Sequence, residues 1–164
     1  MASGNWGPFY IYKLLNAMEL QINSVDQMHQ FGVKIGAQLK PSDVVVLSGD
    51  LGSGKTVLTQ GIASALGFLD ITSPTFVISR IHKGKPNFIH IDAYRLLDSD
   101  ISNFTDLDFE SYLPNSVFVI EWGAPFVKTL TDQYLDINIT PGENENTRNL
   151  VITAVGDRWQ GFNL

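Results

Sequence analysis

Val44-Val45-Val46-Leu47-Ser48-Gly49-Asp50-Leu51-Gly52-Ser53-Gly54-Lys55-Thr56 is the stretch on which the reading of this chain turns. Its first four residues are an unbroken apolar run, as a strand buried on both faces of a parallel sheet requires. Gly49 to Thr56 then follows the spacing G-x-x-x-x-G-K-[ST]. A helical pattern starts at once, with Leu58, Ile62, Ala65 and Leu66 on one face. Glycines let consecutive backbone N–H groups turn inward around phosphate oxygens. The helix points the positive end of its dipole at the same anion. Lys55 can bridge β- and γ-phosphates, and the Thr56 hydroxyl can ligate Mg²⁺. Asp50, Leu51, Gly52, Ser53, Gly54, Lys55, Thr56 and Val57 are the expected nucleotide contacts. A plain Gly-rich turn is the competing explanation, and the complete pattern in its strand–loop–helix context argues against it.

Upstream of this stretch, Ser24-Val25-Asp26-Gln27 has the spacing of a helix capping box. Met28, Phe31, Gly32, Ile35 and Leu39 continue at helical spacing before Pro41. His29 falls inside that helix and is read as partly exposed and without a functional role. Glu19–Asn23 alternates weakly, as a short strand would. Residues 1–17 read as a flexible leader, with Met18 a candidate natural start, ahead of a single domain over residues 18–164.

Downstream, Gly67 is placed to cap the loop helix at its C-terminus. Ser73-Pro74-Thr75-Phe76 reads as an ordered turn entering a strand, since Pro74 favours extended geometry at Ser73. Phe76–His82 and Asn87–Asp92 form an antiparallel hairpin around Lys83-Gly84-Lys85-Pro86. Asp98–Asp106 is polar and expected to be a loop, and Leu107, Phe109, Tyr112 and Leu113 suggest a short helix ended by Pro114. Val117–Ile120 is a second buried-strand run. A short turn or helix is expected around Pro125–Leu130, then strands over Tyr134–Thr140 and Leu150–Val155 joined by a hairpin loop, Pro141–Asn146. The fold class is α/β: a central parallel sheet flanked by antiparallel strands, with helices on both faces.

The 164 residues suit one domain with a sizeable core. The net charge of −6, with 11 scattered lysines and arginines, argues against a dedicated nucleic-acid surface. With no cysteine, disulfides and thiolate metal sites are excluded. No apolar run approaches the ~20 residues of a membrane span. Without the features of a signal peptide, a soluble cytoplasmic protein is the expectation.

Hydrolysis needs more than a phosphate loop: a carboxylate near Mg²⁺ and a group that senses the γ-phosphate. Ligands of such folds bind beyond the carboxyl ends of parallel strands. Glu121 follows Val117–Ile120 in a Walker-B-type position, and Asp92 ends the Asn87–Ile91 run. Either acid alone would pass for a solvated strand end. Thr75 is a candidate switch residue contacting the γ-phosphate or Mg²⁺. Arg95 suits a phosphate contact or a structural ion pair equally well on spacing alone.

Gly-Asp-Leu-Gly-Ser-Gly-Lys-Thr, Ser-Pro-Thr-Phe, His-Ile-Asp-Ala-Tyr-Arg-Leu and Ile-Glu-Trp-Gly occur in that order. Together they resemble the TsaE (YjeE) family, the bacterial ATPases of tRNA threonylcarbamoyladenosine biosynthesis. The resemblance implies a small P-loop fold that binds ATP and Mg²⁺ and hydrolyses ATP slowly alone. It implies partners TsaD and TsaB, with tRNA, modified at adenosine 37, reached indirectly through that complex. By motif, Lys55 would hold phosphates, and Thr56 and Glu121 would serve Mg²⁺. Thr75 and Asp92 would be the switch-like and second acidic site residues, and Trp122 would lie beside the nucleotide. Ser53 stands where alanine is common in the family, a change the loop backbone tolerates. Base contacts are poorly defined by motif; Ser24–Asp26 and Thr147–Arg148 are the candidates.

Three other functions share parts of this pattern. A small-molecule kinase needs a mobile basic lid, and Arg80, Arg95, Arg148 and Arg158 are not clustered. A GTPase commonly carries an N/T-K-x-D segment, which is missing. A nucleotide-gated assembly subunit with negligible chemistry lies close to the favoured reading.

Overall fold

The computed structural model describes residues 11–14, 17–74 and 77–164. The apolar runs become a mixed sheet of eight strands: β1 (Ile11–Leu14), β2 (Ala17–Ile22), β3 (Val44–Ser48), β4 (Ser79–His82), β5 (Asn87–Asp92), β6 (Ser116–Glu121), β7 (Tyr134–Pro141) and β8 (Arg148–Val155). Their spatial order is β1-β2-β8-β7-β3-β6-β5-β4. β3 is parallel to both β6 and β7, and β5 is parallel to β6. The remaining pairs, β1 with β2, β2 with β8, β7 with β8 and β4 with β5, are antiparallel. A parallel centre with antiparallel flanks is thus the observed architecture.

The most apolar strands occupy that centre. β6 is buried along its whole length and Val44–Leu47 of β3 are fully buried. β2, β7 and β8 alternate, and Met18, Leu20, Ile22, Leu135, Ile137, Ile139, Leu150 and Ile152 form the half that reaches the core under the long helices. Helices α1 (Val25–Gly36) and α2 (Lys55–Ala65) cover this face through Met28, Phe31, Ile35, Leu58 and Ile62. Against the other face pack α3 (Ser102–Thr105) and short 3-10 turns, which contribute Phe104, Phe109, Phe126 and Val127.

α1 and α2 touch backbone to backbone. A Cβ on Gly61 would fall on the His29 carbonyl oxygen, and one on Gly32 on the Leu58 carbonyl oxygen. The contact fixes the start of α1 relative to the phosphate loop that starts α2. At the first turn of α1, the Gln27 N–H donates to Ser24 Oγ (3.1 Å), while Gln27 Oε1 accepts from the Asn23 N–H (2.8 Å). α2 ends where Gly67 adopts φ +90°, with its N–H donating to the Ser64 carbonyl.

Several expectations shift. Part of the segment read as a leader, Ile11–Leu14, is a strand paired with β2; residues 1–10 and 15–16 lie outside the described residues. The Asp98–Asp106 loop contains α3, because Phe104 is drawn into the second core. Pro114 sits inside the 3-10 turn Phe109–Asn115 rather than ending a helix, as a turn this short leaves its missing N–H inconsequential. β4 begins at Ser79, and Phe76 lies outside the described residues.

Candidate functional site

β3, β5 and β6 run parallel and end on one edge of the sheet. The register sets Glu121 beside Leu47 on one side and beside Asp92 on the other. Both strand-end acids therefore lie on one side of the strand that launches the glycine loop, Glu121 on the adjacent strand and Asp92 on the next one out. Gly52 (φ +78°) and Gly54 (φ +105°) adopt left-handed backbone conformations, which L side chains rarely adopt. The loop closes with the Ser53 N–H donating to the Asp50 carbonyl at 3.1 Å.

Lys55 is folded into its own loop. Its Nζ donates to the carbonyls of Gly49 (2.6 Å) and Asp50 (3.0 Å), reaches Ser53 Oγ at 3.4 Å and lies 4.8 Å from the centre of the Trp122 ring. Burial lowers its pKa from the ordinary lysine value, while Glu121, Asp92 and Asp50 act in the opposite direction. A cation held under weak ligands and desolvated is ready to exchange carbonyls for phosphate oxygens.

Glu121 is buried, and its Oε1 lies 2.8 Å from His90 Nε2. Trp122 follows with φ +58°, a left-handed conformation that costs a bulky residue about 1–3 kcal/mol. Its N–H donates to the Leu47 carbonyl (2.8 Å), and the Glu121 carbonyl accepts from the Ala93 N–H (3.0 Å). These bonds force the sharp exit that lays the Trp122 ring over Lys55 and 5.3 Å from the Tyr94 ring. Asp92 Oδ1 accepts from the Tyr94 N–H at 3.1 Å.

A cleft of about 580 Å³ opens over these groups, within the range of small-molecule sites. Leu51 to Val57, Asp92, Tyr94, Glu121 and Trp122 form its floor and one wall. Ser24, Val25 and Met28 at the start of α1 and Glu145, Asn146 and Arg148 of the β7–β8 hairpin also line it. Arg148 ties that hairpin together by donating to the Glu145 and Thr147 carbonyls at 2.8 Å, with a longer contact to the Gly52 carbonyl at 3.4 Å.

The fold thus gathers Leu51, Gly52, Ser53, Gly54, Lys55, Thr56, Val57, Asp92, Glu121 and Trp122 around one space. Asp50 is exposed and does not line it, contributing a carbonyl and its charge. Thr75 lies outside the described residues. Of the base-contact candidates, Ser24, Val25 and Arg148 line the cleft and Asp26 and Thr147 do not. Thr147 is buried, and its hydroxyl accepts from the Asn144 N–H. Sequence reading passed over Tyr94 and His90. Both lie two residues from Asp92, and the alternation of a strand would have put His90 on the face of Asp92.

The oxygen donors of Thr56, Asp92 and Glu121 suit Mg²⁺, which takes one or two carboxylates and completes its shell with phosphates and water.

A glycine loop between a buried parallel strand and a helix, with acids on the neighbouring strand ends, defines a P-loop α/β protein. The chain belongs to the TsaE family: the family model described as "Threonylcarbamoyl adenosine biosynthesis protein TsaE" matches residues 22–150. It is similar to the tRNA threonylcarbamoyladenosine biosynthesis protein TsaE of Streptomyces coelicolor, at 39% identity over 80% of this chain and 93% of the relative. The Bacillus subtilis protein of the same description is 38% identical over 74% of this chain and 75% of its own length. Among solved structures, that of Bacillus subtilis YdiB superposes with a TM-score of 0.71 at 29% identity, covering 92% of this chain and 93% of YdiB. The family resemblance and the fold class read from the sequence both hold.

Proposed function

We propose that this protein is a Mg²⁺-dependent ATPase that binds ATP in the cleft and supports threonylcarbamoyl modification of adenosine 37 in tRNA, working in the cytoplasm with TsaD- and TsaB-type partners. One observation carries the ATPase reading: a buried lysine folded under a glycine loop, lining one cleft with Glu121 and Asp92. Family membership supports the pathway.

The loop N–H groups and the α2 dipole hold the phosphates. Lys55 leaves the Gly49 and Asp50 carbonyls for phosphate oxygens. Bound Mg²⁺ would neutralise charge on the β- and γ-phosphates, held through Thr56, Glu121 and Asp92. Water attacks the γ-phosphorus as the bond to the ADP oxygen breaks, and Glu121 is the carboxylate placed to orient that water or its proton. Thr75 is the proposed sensor of the γ-phosphate. Val25, Leu51 and Tyr94 are exposed large hydrophobics on the rim of the cleft. A partner covering them would exclude water and strengthen every charge inside.

The test is ATP turnover by the isolated protein and during titration with the TsaD–TsaB complex, repeated with Thr75→Ala. Slow turnover alone, stimulation by the complex and a weaker response in the variant are expected. Turnover near ~10 s⁻¹ alone, with no partner effect, would refute the composite-site reading.

A further inference from the structure

His90 is completely buried in the second strand of the parallel block, yet packing does not require a histidine there. Its neighbours Phe88, Val117 and Val119 are apolar core residues on the α1–α2 face, and a leucine or phenylalanine would fill the same space. The imidazole Nε2 lies 2.8 Å from Glu121 Oε1, and its Nδ1 is buried without a partner. An unpaired buried nitrogen destabilises the fold, so the ring calls for an explanation beyond space filling.

We infer that His90 is a positioning residue for the proposed ATPase reaction: its Nε2–H holds one oxygen of Glu121 and leaves the other to face the nucleotide and its metal. An ionised carboxylate only accepts hydrogen bonds, so the proton of the pair resides on Nε2. Glu121 side-chain rotation would otherwise allow either oxygen, or neither, to face the cleft. Strand geometry makes the arrangement rigid. His90 pairs with Val119 and Asp92 with Glu121 in the β5–β6 register, so the ring lies one pleat behind the two acids on the same face. Its ring is also braced by Phe88, with centroids 6.5 Å apart. This is the arrangement in which a partner behind a ligating group orients it, and loss of such a partner typically costs about 10- to 100-fold in metal affinity or activity.

The inference rests on the ATPase reading, and the experiment separates the two. Turnover with the TsaD–TsaB complex, ATP affinity and the Mg²⁺ concentration for half-maximal turnover are measured for wild type, Glu121→Gln, His90→Leu and His90→Gln. His90→Leu should lose about 10- to 100-fold in turnover or in Mg²⁺ response, with ATP affinity within a few-fold of wild type. His90→Gln, whose amide N–H reaches toward the position of Nε2, should recover most of that loss. Equal losses in the Leu and Gln variants, or wild-type behaviour in His90→Leu, would overturn the positioning role. Absence of turnover in wild type, or no effect of Glu121→Gln, counts against the ATPase reading instead. Imidazole ¹⁵N spectra of the wild-type protein decide the matter even if His90→Leu does not fold. A proton on Nε2, and a shift of that signal in Glu121→Gln, are expected; an Nδ1–H tautomer with bare Nε2 would overturn the inference.

Discussion

Lys55→Ala removes one of two cations, the other being Arg148, whose side chains line the cleft among the described residues. Hydrogen bonds to a charged group contribute ~1.5–3 kcal/mol, so ATP binding or turnover should fall roughly ten- to a hundred-fold. Isothermal titration with ATP and a phosphate-release assay check this, and unchanged values would sink the phosphate-loop assignment. Glu121→Gln keeps the shape of the side chain and removes its charge. It should lower turnover by about 10²-fold or more while altering ATP affinity little, which single-turnover measurements would distinguish. Lys55 and Glu121 were legible in the sequence because each sits at a fixed place in a motif or at the end of an apolar run. Tyr94 was not, because its role depends on a ring contact with Trp122 that spacing does not encode. Nor was the left-handed backbone at Trp122, which the Leu47 and Ala93 hydrogen bonds impose from other strands.

At the scale of elements, the seam between α1 and α2 invites a direct test. In Gly61→Ala the new methyl meets backbone at His29 and Gly32, which no rotamer change can relieve. Overpacking of ~1–3 kcal/mol is opposed by about 1 kcal/mol of helix propensity. A net fall of up to roughly 8 °C in Tm is expected, with weaker ATP binding because the first turns of both α1 and α2 line the cleft. Circular-dichroism melting and titration report the two effects. A second test lies on β7, where burial raises the Asp136 carboxyl above its ordinary value of 3.8. The folded state keeps this proton over a pH range in which the unfolded chain has already lost it. Stability from this group is therefore present below pH 3.8 and lost as pH rises through the folded pKa. Asp136→Asn, neutral throughout, should raise Tm at pH 7 and do so much less at pH ~3.5. Both long helices and the strands other than β1 were legible because their periods are clean. α3 was not, because a single aromatic, Phe104, sets it by tertiary contact instead of by periodicity, whereas the turns at Phe109–Asn115 and Val127–Thr129 fall where a short helix and a turn were expected.

For the whole molecule, the charge of −6 bears on tRNA. Without a concentrated basic surface, few counterions are released on binding, so the isolated protein should bind tRNA weakly. Filter binding or fluorescence anisotropy at several salt concentrations tests this. Tight, strongly salt-dependent binding by the protein alone would move tRNA recognition from the partners to this chain. The parallel block was legible as a class from β3, the phosphate loop and β6, and the β7–β8 hairpin from its loop, whereas the eight-strand order was not, since nothing in β7 names β3 and nothing in β8 names β2. That order has a consequence during synthesis. β3 pairs with β6, about 74 residues downstream, and with β7, about 90 residues downstream. At roughly 5–20 residues per second on the ribosome, its second edge stays open for about 5–18 s. A nascent chain halted before residue 116 carries the entire phosphate loop on an apolar strand with neither neighbour yet made. Such a truncated chain should fail to bind ATP and should depend on chaperones to stay out of aggregates.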